Sequence, residues 1–148
     1  MQEQIDSDLK AALLSGDKQK TETLRGLKAA LLNEAIATGA RDSGLSDEQI
    51  QKVIAREVKK RTEAAEMYAS AKETERADKE NAEKVILEVY LPEQLDESNI
   101  AAEVDKQIAE LGAPSLADMG KVIGAVKAKL GSAADGSVIA RLTKDKLQ

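Results

Sequence analysis

The chain has 148 residues, enough for one ordinary domain or two small ones. It contains no Cys and no His, so disulfides and thiolate chemistry are excluded, and with them the commonest general base and metal ligand. The net charge of −5 argues against a protein that binds nucleic acid through its overall field, and no DNA partner is expected.

Hydrophobic residues make up 42% of the chain, but Phe and Trp are absent and Tyr68 and Tyr90 are the only aromatics. A core of Leu, Ile, Val and Ala suits packed helices better than aromatic-rich strands. Ile5, Leu9, Ala12 and Leu13 mark the stripe of a first amphipathic helix. Gly16-Asp17 ends it and caps a second, whose stripe is Leu24, Leu27, Leu31 and Ala35. After a loop holding Gly39 and Gly44, Ser46-Asp47-Glu48-Gln49 reads as a capping box, and Ile50, Val53, Ile54 and Val58 begin a third helix.

No Gly or Pro interrupts Asp47 to Leu91. One helix over 47–90 would be roughly 66 Å long, at 1.5 Å per residue. A compact chain of this size has a radius of gyration of only about 15 Å. A break is therefore expected inside Lys72–Lys84, where nine of thirteen residues are charged, with Thr74 as a cap for the next helix. Val85, Ile86, Leu87, Val89, Tyr90 and Leu91 are apolar nearly all round, which predicts a helix central to the packing. Pro92 ends it.

The division is expected at 94/95, giving a helical N-terminal domain over 1–94 and a small three-helix domain over 95–148. The three helices are Glu97–Leu111, Leu116–Leu130 and about Ser137–Leu147, with Ser115 to Asp118 as a start signal for the middle one. The fold class is all-α, without strand signals. Residues 1–95 carry 19 acidic and 15 basic side chains, whereas 116–148 carries six basic and three acidic ones, a local excess of +3. No apolar run approaches the ~20 residues that span a bilayer, and no secretory apolar region opens the chain. No membrane partner and a cytoplasmic location are expected.

Catalytic equipment is missing from the pattern. Without His or Cys no zinc site is expected, and the Glu-x-x-His ligation of di-iron bundles is impossible; no metal and no cofactor are expected. Gly120-Lys121 fails as a phosphate loop, because Ser115 stands five places before Gly120 and Val122 follows Lys121. The cations Lys52, Arg56, Lys59 and Lys60 share one helix face, but Glu48, Glu57, Glu63 and Glu66 interleave them as in ordinary helix ion pairs.

Asp118-Met119-Gly120-Lys121-Val122-Ile123-Gly124 is the informative stretch. A glycine costs about 1 kcal/mol against Ala inside a helix, so two in one turn need a reason. At about 100° per residue, Leu116, Met119, Ile123, Val126 and Leu130 form the expected core stripe. Gly120, Gly124, Ala117 and Ala128 form a nearly bare ribbon between Lys121 and Lys127. A phosphodiester backbone can approach such a ribbon, with an ammonium group on either side. Close packing of another helix is the alternative.

Tyr90-Leu91-Pro92-Glu93-Gln94-Leu95, Gly112, Asp118 to Gly124 and Asp135-Gly136 together resemble the GatB/YqeY family, as do Arg76-x-Asp78, Glu80-x-x-Glu83 and Leu24-Arg25. The resemblance spans essentially the whole chain and is to its stand-alone YqeY-like form. It implies a helical first domain and a three-helix second one similar to the tail of GatB, a subunit of the tRNA-dependent amidotransferase. That tail contacts tRNA, while the amide-transfer chemistry resides in another domain that this chain does not match. The resemblance therefore implies tRNA contact through Gly120, Lys121, Gly124 and Lys127 rather than carbon–nitrogen ligase activity with glutamine as donor. An adaptor that docks a partner protein, or an accessory of an amidotransferase assembly, are the other readings. The chain departs from the family pattern at Lys79, where Leu is usual, and at Ser132-Ala133, where Gly and a basic residue are usual.

Overall fold

The computed structural model describes residues 1–112 and 115–148. Their secondary structure is helical throughout, in seven α-helices: α1 (Gln2–Ser15), α2 (Lys18–Ala37), α3 (Asp47–Ser70), α4 (Thr74–Glu88), α5 (Glu97–Glu110), α6 (Met119–Leu130) and α7 (Gly136–Leu147). Contacts gather into two compact units, Met1–Leu91 and Pro92–Gln148.

In the first unit the local signals act where the sequence puts them. Gly16 takes the left-handed conformation at φ 73° that ends α1, and the Asp17 side chain accepts from Lys20 N–H at 2.9 Å to start α2. Ser46 and Gln49 satisfy each other's backbone donors at 3.2 and 2.9 Å, opening α3. Ile5, Leu24, Leu27, Leu31, Ile50, Val53, Ile54, Leu87 and Tyr90 form the core.

The long uninterrupted stretch folds back as a hairpin, and α3 packs on α4 more extensively than on any other helix. The break lies at Lys72, which holds φ 61°, the left-handed region that disfavours side chains. Thr74 is the first residue of α4 rather than its cap. Glu73 takes the cap position without a side-chain hydrogen bond. Nor is the end of α4 buried all round. Leu87 and Tyr90 face the core, but Val85 and Val89, one turn apart, are 61% and 69% exposed. Helix α4 is covered by α3 and α2, which leaves an apolar edge uncovered.

In the second unit α5, α6 and α7 pack pairwise around Ile100, Val104, Val122, Val126 and Ile139. Asp96 caps α5 through Asn99 N–H at 2.8 Å, and Asp135 caps α7 through Ser137 N–H at 2.6 Å. Leu95 N–H donates to Ala133 O at 2.8 Å and Gln94 Nε2 to Ser132 O at 2.9 Å, which ties the segment after Pro92 to the end of α6. The core stripe of α6 differs from the expected one. Val122 and Val126 are fully buried, Ile123 and Leu130 are partly so, and Leu116 is half exposed. The 3₁₀ turn at Leu116–Asp118 takes Leu116 out of the helix register, and within α6 the sector covered by α5 and α7 lies nearer Val122 than the apolar stripe alone suggests.

Candidate nucleic-acid interface

Gly120, Lys121, Gly124, Lys127 and Ala128 are all exposed on α6, and Ala117 is exposed in the turn before it. A Cβ built on Gly120 or Gly124 meets no atom within 4 Å. The two glycines are therefore not needed to admit another described helix of this chain. Among the described residues of this unit no other helix covers that face.

The two lysines beside the ribbon stand in different surroundings. Lys121 Nζ lies 2.8 Å from Asp118 Oδ1, three residues back at the start of the helix. The other oxygen, Asp118 Oδ2, accepts from Ser115 N–H at 3.2 Å and from Ser115 Oγ at 3.3 Å. The hydrogen bond from Lys121, then that from Ser115, and the lysine charge hold the Asp118 carboxyl below the usual range. The hydrogen bond to Asp118 and its charge raise Lys121 in return. Lys127 instead arches toward the start of α7. A Cβ on Gly136 would lie 3.2 Å from its Cε and 3.3 Å from its Nζ. The Asp135-Gly136 pair thus leaves room for a lysine from the neighbouring helix, a role that sequence spacing does not reveal.

Two other cations of this unit are paired with its own carboxylates, whereas Lys106, Lys129 and Lys144 form no ion pair among the described residues. Arg141 pairs with Glu97 from α7 to α5, and Lys146 lies 2.6 Å from both oxygens of Asp105. Lys127 and Lys129 occupy the last turn of α6, where positive charge opposes the helix dipole favourably.

On α3 the cationic face is largely compensated. Lys52 pairs with Glu48 at 2.7 Å, Arg56 with Glu34 at 2.5 Å and Lys60 with Glu57 at 2.7 Å. Two arrangements there escape sequence reasoning. Arg61 NH1 donates to Glu57 Oε2 at 2.9 Å, and its Nε lies 3.3 Å from Glu83 Oε2, so one largely covered guanidinium joins α3 to α4. The Arg76 guanidinium stands over the Tyr68 ring at 5.6 Å and pairs with Glu73 at 3.0 Å. Sequence spacing does not point to Arg61 with Glu83 or to Arg76 with Tyr68, whereas Arg61 with Glu57 and Arg76 with Glu73 are ordinary helix pairs. A shallow apolar groove of about 450 Å³ also runs along α2, lined by Leu31, Leu32, Ala35 and Leu45.

Among the described residues no group of three or more carboxylates is placed to hold a metal ion, and no helix is long and apolar enough to cross a membrane. No curated protein matches the chain. The family model described as Yqey-like protein matches residues 2–147. The motifs at Tyr90–Leu95, Asp118–Gly124 and Asp135-Gly136 all fall inside that match, and the chain belongs to the YqeY-like family.

Proposed function

We propose that the chain is a non-catalytic RNA-binding accessory protein whose ligand is tRNA, held on the exposed face of α6. The observation that carries this reading is the open ribbon itself: Gly120 and Gly124 have nothing within 4 Å of a built Cβ, and Lys121 and Lys127 stand beside them. Phosphate contacts need accessible cations and a backbone that the ligand can approach, and both are present on this face. The resemblance of the second unit to the tail of GatB supports tRNA as the RNA. The net charge of −5 restricts contact to such a local site, since the whole molecule repels a polyanion.

Binding of the full chain to bulk tRNA as a function of salt tests the reading. Two to four phosphate contacts predict that log affinity falls against log salt with a slope of about −2 to −3. Absence of binding above that of an unrelated acidic protein would count against it.

The groove along α2 favours a second reading, a protein-interaction adaptor. Leu32, which lines it, and Ile36, one turn further along α2, are 52% and 54% exposed, an apolar surface that a partner would cover. An adaptor binds no tRNA in a salt-dependent manner, so the same titration separates the two.

A further inference from the structure

Asp118 carries two loads at once. Through Oδ2 it accepts from Ser115 and fastens the turn that leads into α6, and through Oδ1 it holds the Lys121 ammonium at 2.8 Å. Fastening the turn requires only an acceptor oxygen, which a neutral amide also supplies. Holding Lys121 by charge requires the carboxylate. The pairing draws the ammonium toward the N-terminal end of α6, over its first turn rather than beside Gly124, which lies one turn further on. No ion pair of Lys127 is found among the described residues. One flanking cation is thus open to an anion and the other is already occupied.

We propose that Asp118 is a built-in competitor for Lys121: a polyanion reaching this face must take the lysine from it and then lies beside an uncompensated carboxylate. The proposal rests on the reading of the α6 face as an RNA contact and concerns its regulation. The pair is on the surface, with side-chain exposures of 74% for Lys121 and 30% for Asp118. Surface pairs are weak, so Asp118 moderates binding and does not block it. Its effect is to raise the threshold for ligands that reach only one lysine, and to make affinity depend on how many phosphates are engaged together.

A double-mutant cycle on the full chain tests this, with bulk tRNA as the probe and fluorescence anisotropy as the readout. Asp118→Asn keeps an oxygen for Ser115 and removes the charge. It is expected to tighten binding about threefold at low salt, from the lost competition and the lost repulsion. The gain should shrink as salt rises, because the removed repulsion is screened. In a Lys121→Ala background the part of the gain that comes from competition should disappear, leaving only that from repulsion. A purely structural role of Asp118 predicts no gain, since the amide oxygen still fastens the turn. Asp118→Gln, whose side chain is long enough for its amide oxygen to make the reach-back bond to Ser115, decides the matter if thermal melts show the Asn variant to be unfolded. Asp118→Asn binding no tighter than wild type, while Lys121→Ala weakens binding, overturns the competitor role and leaves the RNA reading intact. If neither substitution changes affinity, both fail.

Discussion

The Tyr90 hydroxyl donates a 2.5 Å hydrogen bond to an Asp8 carboxylate oxygen, joining the end of α4 to α1 across 82 residues of sequence. Tyr90 is buried and is the single aromatic of its core, so the contact closes the first unit at the point where the chain leaves it. Burial, then the hydrogen bond and the negative charge of Asp8, push the Tyr90 hydroxyl well above the ordinary tyrosine range. Tyr90→Phe keeps the ring and removes the bond, at an expected cost of about 1–2 kcal/mol. For a chain of this size that is a fall in melting temperature of roughly 2–8 °C, measurable by calorimetry.

The same contact has a pH signature. The folded state holds the Tyr90 proton more tightly than the unfolded state, whose tyrosine titrates near the ordinary value of 10. The contribution is complete below that pH and is lost as pH rises from it toward the folded value. Wild type is expected to lose stability above about pH 10 more steeply than Tyr90→Phe, in parallel denaturant titrations. Identical alkaline slopes would remove Tyr90 from the account.

Lys72 holds the left-handed conformation at φ 61° where α3 turns back into α4. Glycine adopts it without the steric cost of a side chain, so Lys72→Gly should stabilise the chain by about 1 kcal/mol. Lys72→Val should destabilise it by at least as much, because a branched Cβ fits that region worse. Chemical denaturation of the three proteins reads the order directly.

Arg61 offers a contrast between a covered ion pair and an exposed one. Its side chain is 15% exposed, against 13% for Glu57 and 17% for Glu83. Arg61→Ala leaves both carboxylates without this guanidinium, and a cost of about 1–3 kcal/mol is expected, discounted from the fully buried case. Arg56→Ala, whose partner Glu34 sits at the surface edge, should cost less than about 1 kcal/mol. Equal effects would mean that Arg61 does not fasten the hairpin.

How much was legible in the sequence follows from the range of each interaction. Ser46 with Gln49 and Gly16 with Asp17 act within a few residues, and their caps stand where the pattern predicts them. The break at Lys72 was legible only as a necessity of length, because a charged run holds no residue that asks for φ 61°. The buried sector of α6 lies nearer Val122 than expected, because periodicity gives an apolar stripe but not the sector that α5 and α7 cover. Val85 and Val89 carry the hydropathy of a core without its burial, since composition does not say which side of a helix is covered. Of the candidate site, the placement of Gly120, Lys121, Gly124 and Lys127 on one helix was legible, but not their exposure, since close packing of another helix fits the same pattern. The hold of Asp118 on Lys121 and the arch of Lys127 over Gly136 depend on side-chain conformation, which the residue pattern does not specify.

The independence of the two units is open to proteolysis. Glu93 is exposed between Pro92 and the hydrogen-bonded Gln94, so a glutamyl protease should cut there early. The released C-terminal fragment, which contains the whole core around Val104, Val122, Val126 and Ile139, should keep its helical circular dichroism. A fragment that loses that signal on release would show that the second unit does not fold alone.

The most direct test of the central claim is the salt dependence of tRNA binding by the full chain with Lys121→Ala and Lys127→Ala combined. Circular dichroism should show the variant folded, since both side chains are exposed and neither belongs to the core. Each lost phosphate contact should flatten the slope of log affinity against log salt by about one unit, so the double variant should lose about two and bind much more weakly at low salt. Lys59→Ala, on the largely compensated face of α3, should bind as wild type does. A double variant whose affinity and slope match those of the wild type would contradict the account, because the ribbon of Gly120 and Gly124 would then have no part in holding RNA.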